Sequence, residues 1–292
     1  MRDDDAEAVL SQDPSLPRLS DADFALFQTL IRREAGIHLA DSKRALLIGR
    51  LAPRLRTLGL KSFRHYYLRV TEEDEDELVT MLDRISTNET RFFRGPQHFE
   101  MITSDLVPAW VDAARRGDRD RVVRAWSAGC STGEEPYSLA MCLLAALPTG
   151  WQVDILATDI STRVLERARQ ATWPIARSTE IAPELLRRFV LRGTRSQDGR
   201  IKMGPEVRAA VRFARLNLND TAYPLSDTLD LIFCRNVLIY FDPETRQRIM
   251  RQLFSHLAPD GLLFVGNAET LVGTGVDARV VSPTVYRRSE AG

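Results

Sequence analysis

The chain has 292 residues, 44% of them hydrophobic, and 40 Lys+Arg balance 40 Asp+Glu. This length builds one large domain or two modest ones, and the neutral balance excludes a global charge bias toward nucleic acid or a membrane surface. No run of about 18 apolar residues occurs, so no membrane insertion is predicted. The acidic start Met1-Arg2-Asp3-Asp4-Asp5 does not read as a secretory signal. Three cysteines (Cys130, Cys142, Cys234) without metal-type spacing fit a reduced, cytoplasmic protein with no metal site.

Residues 1–18 are polar, with Pro14 and Pro17, and read as a mobile tail. Ser20 then offers an N-cap, with Asp23 three residues on as a short-armed capping-box partner. Phe24, Phe27, Leu30 and Ile31 follow at helical spacing, and Gly36 ends that helix. Asp41 is placed to cap a second helix carrying Leu47, Leu51 and Leu55, which Pro53 should kink or split. Ser62 begins a third helix. The acidic run Glu72–Glu77 suits the positive end of a fourth, through Leu78, Met81, Leu82 and Ile85. These segments predict a small all-helical N-terminal domain over residues 19–85, with residues 86–292 forming a second domain.

The texture changes near residue 120. Arg121–Trp126 reads as a strand, followed by a turn over Gly129–Gly133 and a helix from Pro136 to Leu147. Val153–Ala157 is a second strand ending at Asp159, and Ser161 caps the next helix. Further strands are predicted at Val211–Leu216, Leu229–Cys234 and Leu262–Val265, with a helix opened by Pro243. Pro259-Asp260-Gly261 is read as a turn, and Val281–Arg288 as an antiparallel edge strand. Alternating strands and helices predict an α/β fold with a parallel sheet covered on both faces. Residues 171–210 break the alternation with a short helix (Glu184–Arg188), two β-like runs (Phe189–Arg192, Arg200–Met203) and a turn at Asp198-Gly199. They read as a small inserted β-subdomain.

The glycine turn after the first strand lets a ligand approach the backbone. Dinucleotide sites use GxGxxG and place pyrophosphate at a helix N-terminus. Here the spacing is Gly129-x-x-x-Gly133, followed at once by Glu134 and Glu135. Two carboxylates repel a pyrophosphate and attract a cation. They therefore favour S-adenosylmethionine, which carries a sulfonium and an ammonium, over a nicotinamide cofactor; the bland alternative is that both acids complement the helix dipole. An acid at the end of the second strand, Asp159, accepts from ribose hydroxyls in such sheets. Asn217 and Asn219 follow the next strand, one suited to adenine's edge and one to turn chemistry. Arg235-Asn236, Tyr240 and Phe241 follow the strand ending at Cys234.

Five ordered blocks then carry a resemblance. Ser86-Thr-Asn-Glu-Thr-Arg-Phe-Phe-Arg94, Trp126-Ser-Ala-Gly-Cys-Ser-Thr-Gly-Glu-Glu-Pro-Tyr-Ser138, Ala157-Thr-Asp-Ile160, Leu216-Asn-Leu218 and Ile232-Phe-Cys-Arg-Asn-Val-Leu-Ile-Tyr-Phe-Asp242 resemble the CheR family of chemotaxis receptor methyltransferases, from about residue 20 to residue 288. The resemblance implies a Rossmann-like S-adenosylmethionine-dependent methyltransferase domain with a small inserted β-subdomain, preceded by an all-helical receptor-recognition domain. It implies methylation of glutamate side chains on methyl-accepting chemotaxis receptors, with S-adenosyl-L-homocysteine as the second product. It implies cofactor contacts at Asn88, Thr90, Arg94, Gly129, Glu135, Asp159, Asn217, Leu218, Arg235 and Asn236. Spacing does not choose between Glu134 and Glu135; the resemblance favours Glu135. Arg94 and Tyr240 are assigned beside the methyl group and incoming substrate, whereas Phe92 and Phe93 are assigned to packing. A glutamate acceptor is already ionised at neutral pH (pKa about 4.3) and needs no general base. His38, His65, His98 and His256 lie outside the motifs.

Residues 32–69 hold ten Lys/Arg and two Asp/Glu. Arg50, Arg54 and, less squarely, Arg56 share one face of the second helix, and Lys43 and Arg44 lie nearby. A solvated helix face is the ordinary reading. The acidic receptor helices implied by the resemblance make this a candidate receptor-binding face, and charge reversal at Arg50 and Arg54 is its test. The loop Gly193–Gly199 leaves open a second contact with a receptor C-terminal peptide. The chain is expected to act as a monomer. Competing readings are a methyltransferase for nucleic acid or small molecules, a non-catalytic adenosylmethionine-binding module, and a nicotinamide dehydrogenase. No aromatic-interleaved basic platform supports RNA binding.

Overall fold

The computed structural model describes residues 18–86, 88–225, 228–271 and 274–289; the tail expected at residues 1–17 lies outside them. The described residues fall into two compact units. One comprises the residues before Asn88 together with Tyr240–Thr245; the other runs Asn88–Ile239 and from Arg246 onward.

The first unit is helical: α1 (Asp21–Ala35), α2 (Arg44–Thr57), α3 (Phe63–Leu68) and α4 (Glu75–Ile85). Its helix ends follow local chemistry. The Ser20 hydroxyl accepts from Asp23 N, and Gly36 closes α1 at φ 70°. Ser62 caps α3 through His65 N, and Asp74 caps α4 through Glu77 N, each such cap contributing about 1 kcal/mol. Phe27 sits fully buried among Phe63, Tyr66 and Tyr67. Two expectations fail here. Asp41 lies in a 3-10 turn (Asp41–Lys43) and makes no cap; its carboxylate accepts from Gln28 instead. Of the two outcomes expected of Pro53, the split does not occur: α2 runs on to Thr57, and the Pro53 carbonyl accepts from the Thr57 hydroxyl.

The second unit opens with α5 (Pro96–Met101), a π-turn (Ile102–Leu106) and α6 (Val107–Arg116), a helical stretch that the sequence reading passed over. There follow β1 (Val122–Ala128), α7 (Glu134–Ala146), β2 (Gln152–Asp159), α8 (Thr162–Gln170) and β3 (Thr172–Pro174). Next come α9 (Pro183–Phe189), β4 (Val190–Arg192), β5 (Arg200–Met203), α10 (Pro205–Ala209), β6 (Val211–Arg215) and β7 (Leu229–Cys234). The chain ends through α11 (Pro243–Ser255), β8 (Leu257–Val265), β9 (Ala278–Ser282) and β10 (Val285–Arg288). The described residues form a seven-stranded sheet, β6-β2-β1-β7-β8-β10-β9, and a three-stranded sheet, β3-β5-β4.

In the large sheet β6, β2, β1, β7 and β8 run parallel. The chain winds outward one way from β1 through β2 to β6, then the other way through β7 and β8. The order therefore reverses between β1 and β7, where ligands bind in open α/β sheets. Burial on both faces explains the near-continuous apolar runs of β1 and β7. The smaller sheet is antiparallel and lies within residues 172–203, inside the stretch read as an insertion.

Two strand expectations need correction. Pro259-Asp260-Gly261 is not a turn: it lies inside β8, where the register jumps from Leu229↔Leu257 to Leu231↔Leu262. The extra residues bulge out of the ladder, which is how a strand accommodates a proline. Val281–Arg288 is not one edge strand but parts of two. β9 takes the edge, and the chain turns at Pro283-Thr284 to return as β10 between β9 and β8.

Candidate active site

The turn after β1 is built by three residues in the left-handed region: Gly129 (φ 80°), Ser131 (φ 49°) and Gly133 (φ 95°). Gly129 N and Cys130 N both donate to Thr158 O at 2.8 and 2.9 Å, which folds the turn over the end of β2. A Cβ on Gly129 would collide with the Val237 side chain, and one on Gly133 would stand 3.0 Å from Ala168 Cβ. Glycine is required here by both φ and space. Asp159, 8% exposed, accepts from Ser131 N (2.9 Å) through one oxygen and from Ser161 N (2.9 Å) through the other. It thus ties the turn to the start of α8.

The paired acids have different surroundings. Glu134 accepts from the Thr132 hydroxyl (2.6 Å) and pairs with Arg177 (3.0 Å). Arg177 lies in the 3-10 turn Ile175–Glu180, and the same guanidinium donates to Thr90 O (2.6 Å) and pairs with Glu180 (2.9 Å). Glu180 in turn accepts from Phe92 N (2.8 Å). Glu135 instead accepts from the Ser127 hydroxyl (2.8 Å) and stands 3.4 Å from Arg235. Burial pushes the Glu135 carboxyl above the ordinary glutamate range; Arg235 and the Ser127 hydrogen bond draw it back only in part.

Arg235 follows β7 directly. Its side chain is 4% exposed, faces the Phe233 ring at 5.7 Å and donates to Arg94 O. Burial lowers its pKa, against the pull of Glu135, and its Nε is buried with no hydrogen-bond partner among the described residues. Gly95, at φ 70°, leaves room for that guanidinium: a Cβ there would lie 2.5 Å from Arg235 Nη2. The half-buried Arg94 reaches Glu89 O (3.4 Å), and its charge acts on both Glu135 and Arg235. Asn88 O accepts from the Ser131 hydroxyl (3.0 Å). The second unit therefore gathers Asn88, Thr90, Arg94, Gly129, Glu135, Asp159, Arg235 and Asn236 around the ends of β1, β2 and β7.

After β6, Asn217 Oδ1 accepts from Asn219 N (3.0 Å), so Asn217 builds the turn; Asn219 Oδ1 accepts from Arg248 of α11. Leu218 is buried at 7%, and its carbonyl accepts from the Tyr223 hydroxyl at 2.8 Å. Tyr240 belongs to the segment grouped with the helical unit, where its carbonyl accepts from His38 N at 2.8 Å. Phe92 packs edge-on against Trp173, and Phe93 against Phe99, as packing residues should. His98 is buried on the Phe264 ring with its pKa lowered by burial, then by the Arg235 charge, to about 4.

On the helical unit, Arg50 and Arg54 of the candidate receptor face are already engaged. Arg54 forks onto Glu77 (2.5 Å at the shortest), whose side chain is 2% exposed and also takes the Tyr66 hydroxyl (2.7 Å). Arg50 donates to Arg84 O and Ser86 O. Arg56 and Lys43 are exposed. Two further residues escaped sequence reasoning: Arg177, hidden in a segment without motif character, and Glu269, an isolated acid after a strand. No spacing signal marks either.

A parallel sheet with this switch point, a glycine turn closing β1 and an acid closing β2 define a Rossmann-like nucleotide site, and the acids that open α7 place it with the S-adenosylmethionine-dependent methyltransferases. Residues 88–286 match the family described as CheR methyltransferase, SAM binding domain, and residues 22–86 match CheR methyltransferase, all-alpha domain. The chain belongs to the CheR methyltransferase family. It is 43% identical to the chemotaxis protein methyltransferase of Escherichia coli (strain K12), over 93% of this chain and 92% of that one. It is 40% identical to chemotaxis protein methyltransferase 2 of Pseudomonas aeruginosa (90% and 92% covered) and 39% identical to the chemotaxis protein methyltransferase of Salmonella typhimurium (97% and 96%).

Proposed function

We propose that this protein transfers the methyl group of S-adenosylmethionine to glutamate side chains on the cytoplasmic helices of methyl-accepting chemotaxis receptors, forming methyl esters. The observation that carries the reading is the Glu135 carboxylate, held by Ser127 and Arg235 behind a glycine turn that no Cβ could share. This donor set fits the cofactor. Glu135 would receive the ammonium, Asp159 the ribose hydroxyls, and the loop Asn217-Leu218 the adenine. Arg94, with Asn88 and Thr90 on its segment, would face the cofactor carboxylate or the pocket wall. When bound, the cofactor supplies an electrophilic methyl on a sulfonium.

The residues then have only to align and to exclude water. An ionised glutamate oxygen attacks the methyl carbon as the carbon–sulfur bond breaks, and the opposite charges of the reactants disperse in the transition state. No proton moves, so no base is required. Arg94 borders the acceptor's approach in this reading, and Tyr240 is assigned to the incoming substrate by the family resemblance alone. Residues 19–85 recognise the receptor and residues 86–292 carry the chemistry, with residues 171–210 as the inserted β-subdomain. We assign the protein to the cytoplasm as a monomer; no described helix is long and apolar enough to cross a membrane.

The test is incubation with methyl-labelled cofactor and purified candidate receptors, then peptide mapping. Label released by mild base from receptor glutamates supports the reading. Base-stable label, or label on nucleic acid, would count against it.

A further inference from the structure

Glu269 lies just beyond β8. Its carboxylate is among the most buried acids of the second unit, at 5% exposure. It accepts four backbone N–H groups. One oxygen takes Asn236 N (2.8 Å) and Gly266 N (2.6 Å); the other takes Val237 N (2.8 Å) and Leu238 N (2.7 Å). Burying a carboxylate is unfavourable unless its hydration is replaced, and charge-assisted bonds of this kind replace it. Three consecutive N–H groups can converge on one anion only if the backbone curls into a nest. That curl is visible at Asn236, a non-glycine residue at φ 61°. Gly266 completes the fit: a Cβ there would stand 2.8 Å from Glu269 Oε2 and 2.9 Å from Asn236 Nδ2.

The held loop is the one that matters for the site. Its first member follows Arg235 and carries the Asn236 amide. Its second, Val237, occupies the space that a Cβ on Gly129 would need. The carboxylate thus fixes, from behind, both the residues beside Glu135 and the wall of the glycine turn. We propose that Glu269 is the positioning residue of the methyl-donor site, acting through the Asn236–Leu238 loop. This rests on the reading of that site as the S-adenosylmethionine pocket.

Glu269→Gln keeps the shape but turns one acceptor oxygen into a donor that faces backbone N–H groups. In the full chain its Kd for S-adenosylmethionine should weaken by roughly tenfold or more, with KM for the receptor unchanged and the melting temperature recorded alongside. The loss should shrink when Asn236→Ala is already present, because the two act as one unit. If Glu269→Gln fails to fold, Glu269→Asp, which keeps the charge on a shorter arm, carries the same test. Full cofactor affinity in either variant overturns the proposal. So does an equal penalty with and without Asn236→Ala, the mark of a merely structural acid. Failure of the unaltered chain to bind the cofactor would instead sink the reading on which the proposal rests.

Discussion

Glu135, the acid proposed to receive the ammonium, is expected to set the pH dependence of cofactor binding. Its pKa is raised by burial, so it begins to lose its charge on acidification above the ordinary glutamate value of about 4.3. Only the charged form attracts an ammonium. Cofactor affinity should therefore fall as pH is lowered through that raised window, and Glu135→Gln should bind weakly at all pH values with the slope removed. Calorimetry across pH checks this; an unchanged slope in the variant would reassign it to another group. Glu77 behaves oppositely. Burial alone would raise its pKa, but the Arg54 and Tyr66 hydrogen bonds outweigh burial and leave it lowered. It therefore contributes stability that is present above the unfolded carboxylate pKa and lost as pH falls through the lower folded value. Arg54→Glu should cost about 2 kcal/mol, less than a fully buried pair because Arg54 stays 23% exposed. Arg56→Glu, on an exposed residue, should leave the melting temperature nearly unchanged. Receptor docking is thus better probed at Arg56 and Lys43, since loss of methylation in an Arg54 variant would report unfolding as well as binding.

At the scale of elements, the 3-10 turn Ile175–Glu180 reaches from the stretch around the small sheet to the chain that carries Asn88, Thr90 and Arg94. Arg177 and Glu180 together hold Thr90 O, Phe92 N and Glu134. Arg177→Met would strand Glu134, whose side chain is 4% exposed, and should lower stability by about 2 kcal/mol. It should also weaken cofactor binding through the released segment. Thermal melts paired with calorimetry would show both losses; intact cofactor affinity would mean that the segment holds its shape without this tie. The bulge in β8 and the β9–β10 hairpin belong to the same scale. Pro259 and Gly261 have the composition of a turn, yet β7 on one side and β10 on the other hold the flanking residues in the sheet.

At the scale of the whole molecule, the three thiols are buried, and burial raises the pKa of each: Cys142 to about 12, Cys130 and Cys234 well above the ordinary range. The native protein should resist a thiol-specific reagent, and reactivity should appear only with unfolding; rapid labelling of Cys130 in the native state would contradict the packing of the glycine turn. Much of the architecture was legible because its signals are local. Ser20, Ser62 and Gly36 mark helix ends through bonds to their own neighbours, and apolar runs mark buried parallel strands. The cofactor class was likewise written in the charge beside Gly133. What sequence could not decide was which of two adjacent acids meets the ligand, since on a helix they point about 100° apart and only packing shows that Glu134 meets Arg177 while Glu135 meets Arg235. Nor could it reveal that Arg54 is engaged with Glu77, 23 residues away, or that Glu269 organises a loop 31 to 33 residues before it. By itself the sequence determined the elements, the glycine turn and the kind of ligand, because these depend on neighbours along the chain. The tertiary structure alone decided which charged groups pair with one another, because a charge's partner is set by proximity in space.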